Sequence, residues 1–340
     1  MEQKFQKIEL YKERLFGDKF SATFDFVKEN WRVVLRFMNY LVLPVCLLQS
    51  LGMDSVFGAA FTNAASDGTI NNGQLIHMLV SYVVYIVCVM LGTLFVTAIV
   101  YGLMRLYDER PNRLSGLTLK EFRPLLWRLI KRSFVLGLAM IPLVLVFGGV
   151  VVGIYIALFS IDPALGVLLM LPFYFGVIAV LLPLMLAMPM YLMNDNETAY
   201  GAIFKGLRYG FNTWGGLFGI VFVVGMIAYV VATVVMMPYM VVLIIKGVMA
   251  TSDEPQTGFM ATVGLQALVY VLGIVQAFGV YLVYALNYVA VGYHYGHVME
   301  KFEGVSVAHG VDNFETMSDT HEDDSHLFDN LHDIDNFDRL

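Results

Sequence analysis

Charged side chains are scarce in this chain of 340 residues. They make up 14% of it, against roughly 25% in an ordinary soluble domain. Hydrophobic residues make up 58%. A soluble fold of this length could bury a core, but it could not hide that much apolar surface. Long stretches carry no charge at all. A water-solvated globule is therefore excluded, and a lipid-solvated protein is implied. Cysteine is almost missing: Cys46 and Cys88 are the only two. Both lie in apolar runs, which fits small packing residues better than a disulfide or a metal pair. The sequence contains no P-loop, no glycine-rich dinucleotide turn and no G-x-S-x-G. No polar stretch is long enough for a catalytic domain. The opening MEQKFQKIELYKERLFGDKF has neither a short apolar core nor a small-residue cleavage site, so it does not read as a secretory signal.

What is abundant is long apolar runs. About 20 such residues in a helix cross a hydrocarbon core of about 30 Å. Six runs qualify, near 33–52, 75–103, 133–160, 164–193, 216–245 and 259–292. A lysine or aspartate at the centre of such a run would cost about 2.5–3.5 kcal/mol, and none has one. Arg36 stands at the mouth of the first, where it can snorkel. The expected fold class is all-α: a polytopic membrane helical bundle of about six transmembrane helices.

Lysine and arginine set the expected orientation. Of the 21, only Lys246 falls in the connections 53–74, 161–163 and 246–258, which instead carry Asp54, Asp67, Asp162, Asp253 and Glu254. The positive-inside rule places the basic side in the cytoplasm. The expected location is a bacterial cytoplasmic (inner) membrane, with both termini cytoplasmic.

The segments before spans one, three and five are themselves patterned. Phe20, Phe24, Val27 and Trp31 recur at helical spacing, as do Leu119, Phe122, Leu126 and Leu129, and then Tyr200, Ile203, Leu207, Phe211 and Trp214. Charged residues occupy the other positions. These stripes predict cytoplasmic amphipathic helices lying at the membrane interface. Thr118 with Glu121 and Asn194 with Glu197 have capping-box spacing. The three tryptophans, Trp31, Trp127 and Trp214, fall one in each segment and are read as interface anchors. The predicted organisation is three hairpins, each preceded by an amphipathic helix. It divides into an N-terminal amphipathic segment 1–32, a six-helix domain 33–303 with interfacial helices near 118–132 and 197–212, and an acidic tail 304–340.

Six of the ten prolines lie inside spans, and span four holds Pro172, Pro183 and Pro189. Each removes a backbone donor and frees a carbonyl four residues earlier. Static kinks that aid packing are one reading. Another is a cavity or moving element between this span and the tyrosine-rich span six, with Tyr281, Tyr284 and Tyr288. Gly149 with Gly153, Gly215 with Gly219, and Gly292 with Gly296 have small-xxx-small spacing, which lets helices approach closely. No ionisable group sits at mid-depth, which argues against a proton-coupled transporter. His294, His297 and Glu300 run at i, i+3, i+6 past span six. They are weak metal candidates, because the third drifts off the face. No cofactor is expected.

The tail holds ten Asp or Glu and one Arg, enough to account for the chain's net charge of −7. Phe328, Leu331, Ile334 and Phe337 space a weak apolar stripe through it. A disordered tail that folds on a partner and a plain solubilising tail both fit this composition.

NDNETAYGAIFKGLRYGFNTWGGLFGI resembles the helix-plus-span element of the membrane domain found on some glycerophosphodiester phosphodiesterases and related bacterial membrane proteins. ERLFGDKFSATFDFVKENWRVVLRF resembles their opening helix, and YVAVGYHYGHVMEKFEGVSV their closing span. The resemblance implies a membrane-embedded accessory or scaffold module without the catalytic domain. His294 and His297 are not part of that pattern. Expected contacts are membrane lipids and other membrane or cytoplasmic proteins reached through the amphipathic helices and tail, with no nucleic acid. A lipid or small-solute transporter or flippase is the alternative.

Overall fold

A computed structural model describes residues 7–65, 72–161, 163–251 and 259–307. Every regular element among them is helical. The helices are α1 (Phe16–Ala65), α2 (Asn72–Glu109), α3 (Leu119–Ile161), α4 (Pro163–Leu181), α5 (Ala187–Met193), α6 (Ala199–Asn212), α7 (Trp214–Thr251) and α8 (Phe259–Glu303), with a 3-10 turn at Leu182–Leu186 between α4 and α5. Six stretches are long and apolar enough to cross a membrane. The chain is a multi-pass helical membrane protein. The stripe Phe328, Leu331, Ile334 and Phe337 lies outside the described residues.

The helices alternate in direction, so one end of the bundle gathers nearly all the lysines and arginines. We call it the basic end. At that end an extended strap, residues 7–15, crosses the helix termini. Its Leu10 is buried. The body consists of α1, α2, α7 and α8, with α1 packed on α2, α8 and α7. Its core is aromatic and methionine-rich, including Phe26, Phe37, Tyr101, Tyr293 and Tyr295. These rings meet edge-on, as between Phe26 and Tyr107. Without water to drive burial in the membrane, such packing and interhelical hydrogen bonds are what hold helices together. Tyr281 donates to Gln49 Oε1 at 2.8 Å, and Ser50 to the Tyr270 carbonyl at 2.8 Å.

The amphipathic segments differ from the sequence reading in two ways. Those preceding spans one and three are not separate helices. No breaker stands between them and the spans, so each continues as one rod, 50 residues long in α1 and 43 in α3. Only the third is distinct, as α6. There Thr213 ends one helix and starts the next. The faces differ too. In α3 the expected stripe does pack inward, through Phe122, Leu126 and Leu129. In the 16–32 stretch of α1 the buried side chains are Lys19, Ala22, Thr23, Phe26 and Asn30, while Trp31 is exposed. In α6 Ala202, Ile203, Gly206 and Gly210 are buried, and Tyr200, Phe204 and Phe211 are exposed. In α6 the two glycines and Ala202 face the protein while three aromatic rings face outward, as at a lipid interface.

Capping also departs from expectation at one site. Thr118 Oγ1 does accept from the Glu121 amide, at 3.4 Å. Asn194 and Glu197 do not form the second box. Thr198 caps α6 by accepting from the Gly201 amide at 3.1 Å, which leaves Glu197 free to pair with Lys205.

Proline breaks span four. Pro183 opens the 3-10 turn and cannot donate to the carbonyl of Ala179. The indole Nε1 of Trp214 donates to that carbonyl at 3.0 Å. The turn then packs on α6, where Gly206 and Gly210 leave space for it. A β-carbon at Gly210 would come within 2.7 Å of Pro183 Cα, and one at Gly206 within 2.8 Å of the Ala187 amide.

The α3–α4 hairpin leaves the body as an arm. No described residue of α3 beyond Ala139 is fully buried. In the most apolar stretches of α1 and α2, 39% of residues are buried, against 6% in α3 and 12% over 166–193. Gly149 and Gly153, expected at a close helix crossing, meet nothing, and neither does Gly215. Gly219, Gly292 and Gly296 do sit at crossings, against Phe16, Met104 and Leu10 respectively.

Candidate functional site

The polar chemistry of the molecule is concentrated at the basic end. Arg132 on α3 is its most connected group. Its guanidinium donates to the carbonyls of Tyr191, Asn194, Asp195 and Glu197 and lies 4.1 Å over the Tyr191 ring. It thereby satisfies carbonyls left open where α5 ends and the chain turns toward α6. The carboxylate of Asp195, in that turn, accepts from Arg105 of α2 at 2.8 Å and Arg128 of α3 at 3.3 Å. The Arg105 hydrogen bond holds its pKa below the usual carboxylate range, with Arg128 and Arg132 adding to the effect. One acidic side chain thus ties three segments.

Glu29 plays the same part for α1. It accepts from Tyr107 Oη at 2.9 Å and pairs with Arg113 in the loop after α2. Lys205 of α6 pairs with Glu197 and, at 3.3 Å, with Glu303 at the end of α8. Its pKa is raised, chiefly by the Glu197 hydrogen bond. Tyr209 stacks on Phe302 and donates to Glu303 at 3.1 Å. The strap is held by the Lys7 ammonium on the Asp108 carbonyl, and by the Leu10 amide on Asp108 Oδ1.

The structure splits the His294, His297 and Glu300 set. His294 is fully buried between α1 and α7. Lys19 Nζ lies 3.3 Å from its Nδ1, and Thr213 Oγ1 lies 3.2 Å from its Nε2. The Thr213 hydroxyl hydrogen is already committed to the Tyr209 carbonyl at 2.8 Å. Donor accounting then fixes a single chain of bonds: the Lys19 ammonium donates to Nδ1, Nε2–H donates to Thr213, and Thr213 donates to Tyr209. His297 Nδ1 accepts from the Arg14 amide at 3.1 Å. Glu300 binds the amide of Ser306 at 2.9 Å. Each group serves a different neighbour. Among the described residues, no three His, Cys, Asp or Glu side chains converge as a metal site would require.

Trp31 and Trp127 are exposed near the basic end, each with a cation near its ring: Arg32 at 5.4 Å and Lys131 at 5.5 Å. Trp214 is partly buried and stacked on Phe218. Pro172 lies on the exposed surface of α4, whereas Pro183 and Pro189 are buried. Tyr281 is buried, Tyr288 half-buried and Tyr284 exposed. The structure therefore does not bring Pro172 and Tyr284 to a common interior. An apolar cavity of about 220 Å³ lies elsewhere, among α1, α2 and α8, lined by Phe26, Leu103 and Leu282.

Sequence reasoning missed the Arg132 clamp, the Lys19–His294 contact and the Gly206–Gly210 crossing. The last has a usable signal, since the two glycines have the same four-residue spacing as Gly149 with Gly153 and Gly292 with Gly296. The first two had none, because they join residues far apart in the chain.

Fold and site together define a multi-pass helical membrane protein whose ionisable groups mainly cross-link helix ends. No family model, no curated protein and no solved structure matches the chain.

Proposed function

We propose that this chain is a non-enzymatic scaffold or accessory subunit of an envelope or lipid-related system, in a bacterial cytoplasmic membrane with the basic end inside. The observation that carries the proposal is the α3–α4 arm. At its root Arg105 of α2 reaches Asp195, which also takes Arg128 of α3, and Arg132 clasps the carbonyls around the same turn. The arm beyond Ala139 makes little contact with the body and shows Gly148, Gly149 and Gly153 to open space. Glycines on a rigid, outward-facing helix let a second transmembrane helix approach its backbone. The resemblance to phosphodiesterase membrane domains points the same way.

The test uses protein extracted from its native membrane in mild detergent. Gly149→Leu with Gly153→Leu should leave the chain folded, since both sites have room, and should shift it from a larger assembly to the single chain. Retention of the full assembly in that variant, and again after deletion of residues 308–340, would refute the proposal.

The second reading is a lipid or small-solute transporter. One observation favours it. Gln276 Oε1 and Asn287 Oδ1 on α8 are buried without a hydrogen-bond partner among the described residues, a costly state that a passing polar solute would relieve. Solute flux into vesicles that falls on Gln276→Leu would favour this reading over the scaffold.

A further inference from the structure

A second feature of the basic end is independent of the arm's far half. α3 leans against α1 and α2 along a groove of about 690 Å³. Tyr40 and Leu41 of α1, Phe95 of α2, and Arg123, Leu126 and Trp127 of α3 line it. Its polarity runs in one direction. Arg123 lies within the first turns of α3, at the basic rim. Phe122, beside Arg123, packs on Gly102 of α2, and Phe95 lies seven residues further from the basic end, about 10 Å deeper at 1.5 Å per residue. The groove is therefore cationic at its mouth and apolar along its floor.

Arg123 also differs from most arginines around it. Arg105, Arg110, Arg113, Arg128 and Arg132 are all held by carboxylates. Arg123 has no such partner among the described residues and is exposed. Lys120, one turn earlier, and Arg36, one turn from Tyr40, are likewise exposed and carry no ion pair among those residues. Arg123 in the lining, with Lys120 and Arg36 each within about a turn of lining residues, thus gives this groove three open cations.

We propose that the groove binds an anionic glycerophospholipid from the surrounding leaflet. Its phosphate sits on Arg123, where a guanidinium matches phosphate oxygens in a paired fork. Its acyl chains run along Leu41, Leu126 and Phe95. Trp127 packs at the level of the glycerol, where an indole belongs. An acidic peptide is a poorer occupant, because its backbone polar groups would enter an apolar floor unpaired.

The test reads Trp127 emission from the full chain in phosphatidylcholine vesicles, taken as the difference between the native protein and Trp127→Phe. Phosphatidylglycerol or phosphatidylcholine with brominated acyl chains is titrated in. Half-quenching is expected at a several-fold smaller mole fraction of the brominated phosphatidylglycerol. Arg123→Gln should remove that difference. Arg208→Gln, which deletes an exposed charge on α6, should keep it. Equal quenching by the two lipids in the native chain would overturn the proposal, and so would loss of the preference in Arg208→Gln. If Trp127 resists both lipids until residues 308–340 are deleted, the tail is the occupant and the proposal fails.

Discussion

Lys19 and His294 form the least ordinary contact in the molecule. A lysine ammonium is buried with no carboxylate partner among the described residues, and it rests on an imidazole that is itself fixed by Thr213. Such a group is tolerated only while its acceptor is present, and removing one partner of a buried charged contact costs about 3–5 kcal/mol. His294→Ala should therefore destabilise the detergent-solubilised protein severely. Lys19→Met, which fills a similar volume without the charge, should cost much less, and it should restore part of the loss when combined with His294→Ala. Thermal unfolding of the two single variants and the double variant measures the coupling directly. Additive losses would show that the two side chains do not depend on each other.

The proline break in span four shows how one element's defect is repaired by another. Pro183 leaves the Ala179 carbonyl without its helical donor, and Trp214 supplies one from the start of α7. An unsatisfied buried carbonyl costs about 1–3 kcal/mol. Trp214→Phe keeps the stacking on Phe218 and deletes only that donor, so it should lower stability by that amount. It should also increase amide exchange around residues 179–187. Unchanged exchange there would mean that the carbonyl finds another partner. The same region shows what the sequence could and could not reveal. Six apolar runs were legible because span length is set by bilayer thickness, and the proline was legible as a break. Which donor would answer it was not, because Ala179 and Trp214 are 35 residues apart and belong to different hairpins. The stripes on α1 and α6 were legible as periodic, but periodicity does not say which side faces protein when lipid also accepts apolar groups. Gly206 and Gly210 settle that in α6 only because the 3-10 turn rests on them. His294 and Glu300 share a stretch of α8 and still go to different partners, because what lies beside each is set by α1, α7 and the turn after α8.

As a whole, the molecule is a four-helix body with a latched basic end and a two-helix arm. The latches are short links between helix ends: Glu29 to Arg113, Asp195 to Arg105, and Lys205 to Glu197 and Glu303. They collect at one end because the positive residues do, and in a membrane that distribution fixes which way the chain inserts. The scaffold reading takes the basic end to face the cytoplasm. Cysteine labelling in intact cells tests this most directly. With buried Cys46 and Cys88 replaced by serine, a single cysteine at Arg208 marks the basic end, and one at Ser160 marks the tip of the arm. A membrane-impermeant maleimide should label Ser160→Cys in intact cells and Arg208→Cys only after lysis. The reverse pattern, or labelling of both positions from outside, would contradict the account.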